Sequence, residues 1–102
     1  MKIKKEVFNA YVKQVCEKFG VSEEELFSKT KKRDITIARH FLIYLCYKRY
    51  MRLSKIQEFL KERGYDTKHQ PIKYAIVVVR KKMRKDEDYR AIFDEINKCA
   101  IV

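Results

Sequence analysis

The segment from Asp34 to Tyr50 constrains the fold more than any other. Ile37, Ala38, Phe41, Leu42, Leu45 and Cys46 recur at helical spacing and make one apolar face. Ile43, Tyr44, Tyr47 and Tyr50 cover much of the remaining circumference. A helix that is apolar on nearly every side is stable only when other elements surround it. The segment therefore predicts a central helix, capped by Asp34, with Arg39, Lys48, Arg49 and Arg52 left for solvent or phosphate. A chain of 102 residues, 46% of them apolar, can bury one modest core around such a helix.

The flanking segments supply amphipathic partners for it. Ile3 to Phe19 follows the helical period through Val7, Ala10, Tyr11 and Cys16, and Gly20 closes it. Ser22 with Glu25 reads as a capping box, opening a single turn whose Leu26 and Phe27 face inward. Ser54 with Gln57 reads as a second box and predicts a helix from Lys55, with Ile56, Phe59 and Leu60 inward and Gly64 as a left-handed stop. A short polar turn follows. Thr67 as N-cap, Gln70 three residues on, and Pro71 in a first turn then start another helix. Its stripe is Ile72, Ala75, Ile76, Val79 and Met83. The β-branched run from Ile76 to Val79 suits a strand by propensity, but the helical neighbours and the early proline favour a helix. Asp86 or Asp88 caps a last helix with Tyr89, Ile92, Phe93 and Ile96 inward. The expected fold is all-α, with five to six helices in a single domain over residues 1–102. Residues 53–85 form a helix-turn-helix within it.

Charge is segregated along the chain. Residues 1–28 hold five Lys and five Glu, which cancel, and residues 86–102 carry a balance of −3. Residues 29–85 hold eighteen Lys and Arg against Asp34, Glu58, Glu62 and Asp66, a balance of +14. A face that binds a polyanion explains such segregation, whereas a merely solvated surface does not.

Other function classes find little support. No run approaches the ~18 apolar residues of a membrane span, and the N-terminus has no secretory pattern. Cys16, Cys46 and Cys99 are widely spaced among apolar helix neighbours, as small core residues are in a reducing compartment. The two histidines, His40 and His69, have no Cys or Asp at metal or triad spacing. No metal, cofactor, small-molecule substrate or catalytic activity is expected. Two glycines cannot build a phosphate-binding loop, so nucleotide-driven work is excluded as well.

The order of parts, with a basic loop (Ser28-Lys-Thr-Lys-Lys-Arg33), an apolar helix led by Ile37-Ala-Arg39, a helix-turn-helix and an acid-capped last helix, resembles the C-terminal DNA-binding domain of the bacterial replication initiator DnaA. That is a Trp-repressor-like helical fold, and the likeness runs from about Val7 to Ile96. Counted from the Ala-Arg pair, Arg33 falls on the family's minor-groove arginine. The family's recognition-helix signature, Arg-Asp-His-Thr-Thr-Val, is matched here by Thr67-Lys-His-Gln-Pro-Ile72, so only His69 and the closing apolar residue persist. The resemblance implies a monomer that binds double-stranded DNA, with base contacts from Arg33, Lys68, His69, Gln70 and Lys73. Phosphate contacts are expected from Lys31, Lys32, Arg49, Arg52, Lys55 and Lys81. It implies a regulator, replication accessory or architectural factor in the cytoplasm, nucleoid-associated or phage-encoded. RNA binding, with Tyr65 and Tyr74 as stacking surfaces, and a protein-interaction or virion module with an incidental basic face remain the competing readings.

Overall fold

The computed structural model describes residues 4–100, with side chains described as far as Lys98. The expectations for Ile3 and for the Cys99 side chain lie outside these bounds. Six helices follow one another: α1 (Lys4–Phe19), α2 (Glu23–Leu26), α3 (Arg33–Lys48), α4 (Leu53–Glu62), α5 (His69–Lys85) and α6 (Glu87–Ala100). Every element among the described residues is α-helical, and the β-branched run of α5 is helical too, because Ile76 and Val79 share one buried stripe with Ile72 and Ala75.

Helix α3 is central. Ala38, Phe41, Leu42, Leu45 and Cys46 are fully buried, and α1, α2, α4 and α5 all pack on it. Phe41 is the hub, with Phe19 of α1 at 5.4 Å and Tyr89 and Phe93 of α6 at 6.0 and 6.5 Å. Phe8 of α1 meets Phe27 beyond α2 and Phe59 of α4, so the two ends of the chain's first half share one apolar centre. Helix α6 closes the bundle on α1 through the Tyr11 hydroxyl, which donates to Asn97 Oδ1 at 2.7 Å, and through the Lys18–Glu95 ion pair.

The helix ends follow the sequence in part. The Ser22–Glu25 capping box forms in both directions, and Asp86 Oδ1 accepts the Asp88 N–H at the start of α6. Helices α1, α3 and α4 all end in the same way. A residue with positive φ is followed by an N–H that returns five residues, to Cys16, Cys46 and Leu60 respectively. Gly20 (φ 64°) and Gly64 (φ 92°) hold that position after α1 and α4; Tyr50 (φ 65°) holds it after α3.

Three expected caps are corrected. Asp34 lies inside the first turn of α3, and Lys32 is the N-cap. Helix α4 starts at Leu53 after Arg52, so the Ser54–Gln57 box does not form. Gln57 instead donates to the Thr67 carbonyl across the turn, at 2.7 Å. Lys68, not Thr67, precedes α5. In α3, Ile35 is buried where Ile37 was expected, while Tyr47 and Tyr50 are exposed.

Candidate nucleic-acid interface

Helix α4, the turn from Arg63 to Lys68, and α5 form the helix-turn-helix, and α3 supports both helices. The turn is locked from several sides. Gly64 lets α4 end tightly, and Gln57 binds the Thr67 carbonyl. Arg63 pairs with Glu23 and donates to Asn9, both at 2.8 Å, while its guanidinium lies over the rings of Phe27 and Phe8.

Arg39 corrects the sequence reading most. It is not left for phosphate but is 5% exposed, the one charged side chain buried in the core among the described residues. Its Nε donates to the Leu26 carbonyl at 2.8 Å and its Nη2 to the Ser28 carbonyl at 2.7 Å. Its guanidinium lies 4.5 Å from the Tyr65 ring centroid. Lys29 covers the same ring and donates to the Asp66 carbonyl. Tyr65 is thereby engaged by two cations. The consequence is positional: the 28–32 loop is fastened to the turn that launches α5.

The candidate base-reading residues are therefore neighbours. Arg33 is exposed, as the first residue of α3 rather than part of a free loop, with Lys31 and Lys32 exposed before it. Lys68, His69, Gln70 and Lys73 are all exposed at the start of α5, with Pro71 in the first turn where its missing N–H costs nothing. Helices α3 and α5 run alongside each other in the same direction: His40 meets Tyr74 edge-on at 5.9 Å, and further along Tyr47 meets Arg80. Their N-termini consequently lie at one end. Arg49 and Arg52 lie at the other, about 23 Å away along α3 at ~1.5 Å per residue. Lys81 is near that second group, next to Arg80. Lys55 is half-exposed and pairs with Glu58 at 3.1 Å, so it is partly engaged already. None of the other ten candidates makes an ion pair among the described residues.

The electrostatics of the helix ends are unusual. The N-caps of α3, α4 and α5 are Lys32, Arg52 and Lys68, and none supplies a side-chain cap bond. A helix N-terminus carries roughly half a positive charge and unpaired N–H groups, so a cation there is unfavourable. The same end favours a phosphate. Half-buried His40 has its pKa lowered by burial first, then by Arg39 and Lys82. Among the described residues no three His, Cys, Asp or Glu side chains gather as a metal site would.

Sequence reasoning missed Arg39, Arg63, Lys29 and Gln57 as organisers of this face. For Arg39 a signal existed: it lies one turn from Ile35 and one turn from Ile43, on the core side of α3. For Arg63 and Lys29 there was none, because their partners are far away in the chain.

The model of the bacterial DnaA protein helix-turn-helix family matches residues 9–67, more than half of the chain, and the chain belongs to that family of non-catalytic DNA-binding domains. The match runs from Asn9 in α1 to Thr67, two residues before α5 begins at His69. It thus covers the central helix, the basic loop, α4 and most of the turn, and stops before α5. No solved structure matches the chain.

Proposed function

We propose, with membership in the DnaA helix-turn-helix family as the premise, that this chain binds duplex DNA as a monomer and acts as a regulator, replication accessory or architectural factor. The first turn of α5 enters the major groove, where Gln70 suits the paired donor and acceptor of adenine and Lys68 suits guanine. His69 and Lys73 flank them. Arg33 reaches the adjacent minor groove, whose potential is most negative where A·T runs narrow it. Lys31 and Lys32 contact the phosphates beside Arg33. The ~23 Å between the two basic groups exceeds the ~12 Å width of the major groove, which suits Arg49, Arg52, Lys55 and Lys81 to the opposite strand.

One observation carries this reading. Three helix N-termini bear cationic N-caps and no side-chain cap, an arrangement that is locally unfavourable in water and favourable against a phosphate backbone.

Duplex binding measured across a salt series tests it. With about 5–8 phosphates neutralised, log K falls against log salt with a slope of roughly −0.9 per contact. Selection from a random duplex library then supplies a preferred site. On that site Gln70→Ala costs about 1–3 kcal/mol and relaxes one or two positions, with non-specific binding almost unchanged. Arg33→Ala weakens A·T-flanked sites more than G·C-flanked ones. Binding that ignores salt, or no binding to duplex at low salt, refutes the proposal. A library without enrichment leaves a non-specific DNA coat.

A further inference from the structure

The C-terminus of α3 carries a feature that duplex binding does not use. Three helices of this protein end in the same backbone motif, and two of them place glycine at its left-handed residue. The third places Tyr50 there, at φ 65° and 90% exposed. Left-handed backbone disfavours any residue with a Cβ, and so exposed a ring contributes almost nothing to packing. Folding alone gives no reason for a tyrosine where glycine serves twice.

Its surroundings supply one. Tyr47, Lys48, Tyr50, Met51 and Arg52 line an open cleft of about 310 Å³, at the small end of the range for sites that take a ring-sized ligand. Tyr47 forms one wall, with Arg80 donating to its hydroxyl at 3.3 Å and lying over its ring. Buried Met51 makes an apolar floor. Lys48 and Arg52 line the cleft, Arg80 sits against its Tyr47 wall and Arg49 follows Lys48 in the chain; none of the four makes an ion pair among the described residues. From His69 to Arg80 is about 16 Å along α5, so the cleft is well separated from the base-reading end.

We propose that this cleft is a second nucleic-acid site, in which Tyr50 stacks on an unpaired base of single-stranded DNA. An aromatic face open to solvent beside cations spread over several residues suits a flexible polyanion with exposed bases. A duplex cannot use it, because its bases are already stacked on one another and the ring would meet only sugar and phosphate. Spread over two helices and a turn, the cations fit successive phosphates of a strand better than one phosphate of a free nucleotide. Arg49 and Arg52 belong to the duplex face as well as to this end of α3, so the two substrates are measured separately.

The test compares wild-type protein, Tyr50→Gly and Tyr50→Phe. Each is titrated with a thymidine homopolymer of about 16 nucleotides, with duplex DNA, and with the matching uridine homopolymer. Tyr50→Gly is expected to melt at or above the wild-type temperature, since glycine suits the backbone. It should lose roughly 5- to 100-fold in single-strand affinity, the equivalent of one stacked base, and keep its duplex affinity within about twofold. Tyr50→Phe keeps the ring and should bind single strands as wild type does. The inference is overturned if wild type binds no single-stranded DNA, if Tyr50→Gly binds it unchanged, or if Tyr50→Gly weakens single strand and duplex alike. Tighter binding of the uridine polymer overturns the assignment to DNA. Since Gln70→Ala on the selected duplex site reports on the other end of α5, either site can fail while the other stands.

Discussion

Arg39→Met removes the cation that ties the basic loop to the turn while keeping most of the side-chain length. Two hydrogen bonds from a charged donor, at 2.8 and 2.7 Å, contribute about 1.5–3 kcal/mol each. The guanidinium over Tyr65 adds about 0.5–2 kcal/mol. Against this, a cation in a site 5% exposed carries a desolvation penalty of several kcal/mol that methionine does not. Water can also reach the half-exposed Ser28 once the arginine is gone. The orphaned Leu26 carbonyl has no such recourse, because Leu26 is fully buried. The net loss expected is about 2–4 kcal/mol out of a total of ~5–15 kcal/mol for a chain this size. Urea unfolding followed by circular dichroism measures it. Arg39→Lys, which can replace one bond but not the fork, should fall in between. Limited proteolysis of the folded variant should show cleavage near residues 28–32 that wild type resists, because only the local fastening is lost. A change below about 1 kcal/mol, with unaltered proteolysis, would refute the claim that Arg39 organises this face.

Leu45→Ala, at the fully buried centre of α3, should cost about 2–5 kcal/mol by urea melt; less than about 1 kcal/mol would make α3 peripheral. His40 titrates below its ordinary value because burial, Arg39 and Lys82 oppose its charge, so the unfolded chain takes up that proton first. Stability is therefore present above about pH 6.5 and falls as the pH drops from there through the lowered folded value; His40→Gln should remove that part of the slope in a pH series of urea melts. Burial raises the pKa of the fully enclosed Cys46 thiol, so a thiolate reagent at neutral pH should label it only as fast as the protein unfolds. Labelling at a free-thiol rate in native buffer would show the core to be open.

Most of the architecture was legible in local pattern. Helix α3 announced itself as central by being apolar on most sides, and Phe41, Leu42 and Leu45 are fully buried. The Ser22–Glu25 box, Gly20 and Gly64 behaved as expected because each acts through backbone within a few residues. The failures lie where a local rule met a stronger distant partner. Ser54 and Gln57 satisfy the capping-box pattern, yet Gln57 spends its amide on the Thr67 carbonyl, since α5 brings an unpaired acceptor within reach. Tyr47 and Tyr50 fit the apolar circumference expected of α3, yet Tyr47 falls on its outer side and Tyr50 in the turn beyond it, and both are exposed.

The sequence by itself determined that the chain is all-helical, that it winds round α3, and that its positive charge is confined to residues 29–85. Those properties follow from the spacing of side chains along one helix and from their sum, neither of which needs a partner. Only the tertiary structure decided which cations are free. Charge counts Arg33, Arg39, Arg63 and Lys68 alike, but Arg39 and Arg63 are consumed by carbonyls, a carboxylate and rings that lie at least eleven residues away. Arg33 and Lys68 end exposed at the start of neighbouring helices. A side chain's partner is set by the packing of distant segments, and no local pattern records it.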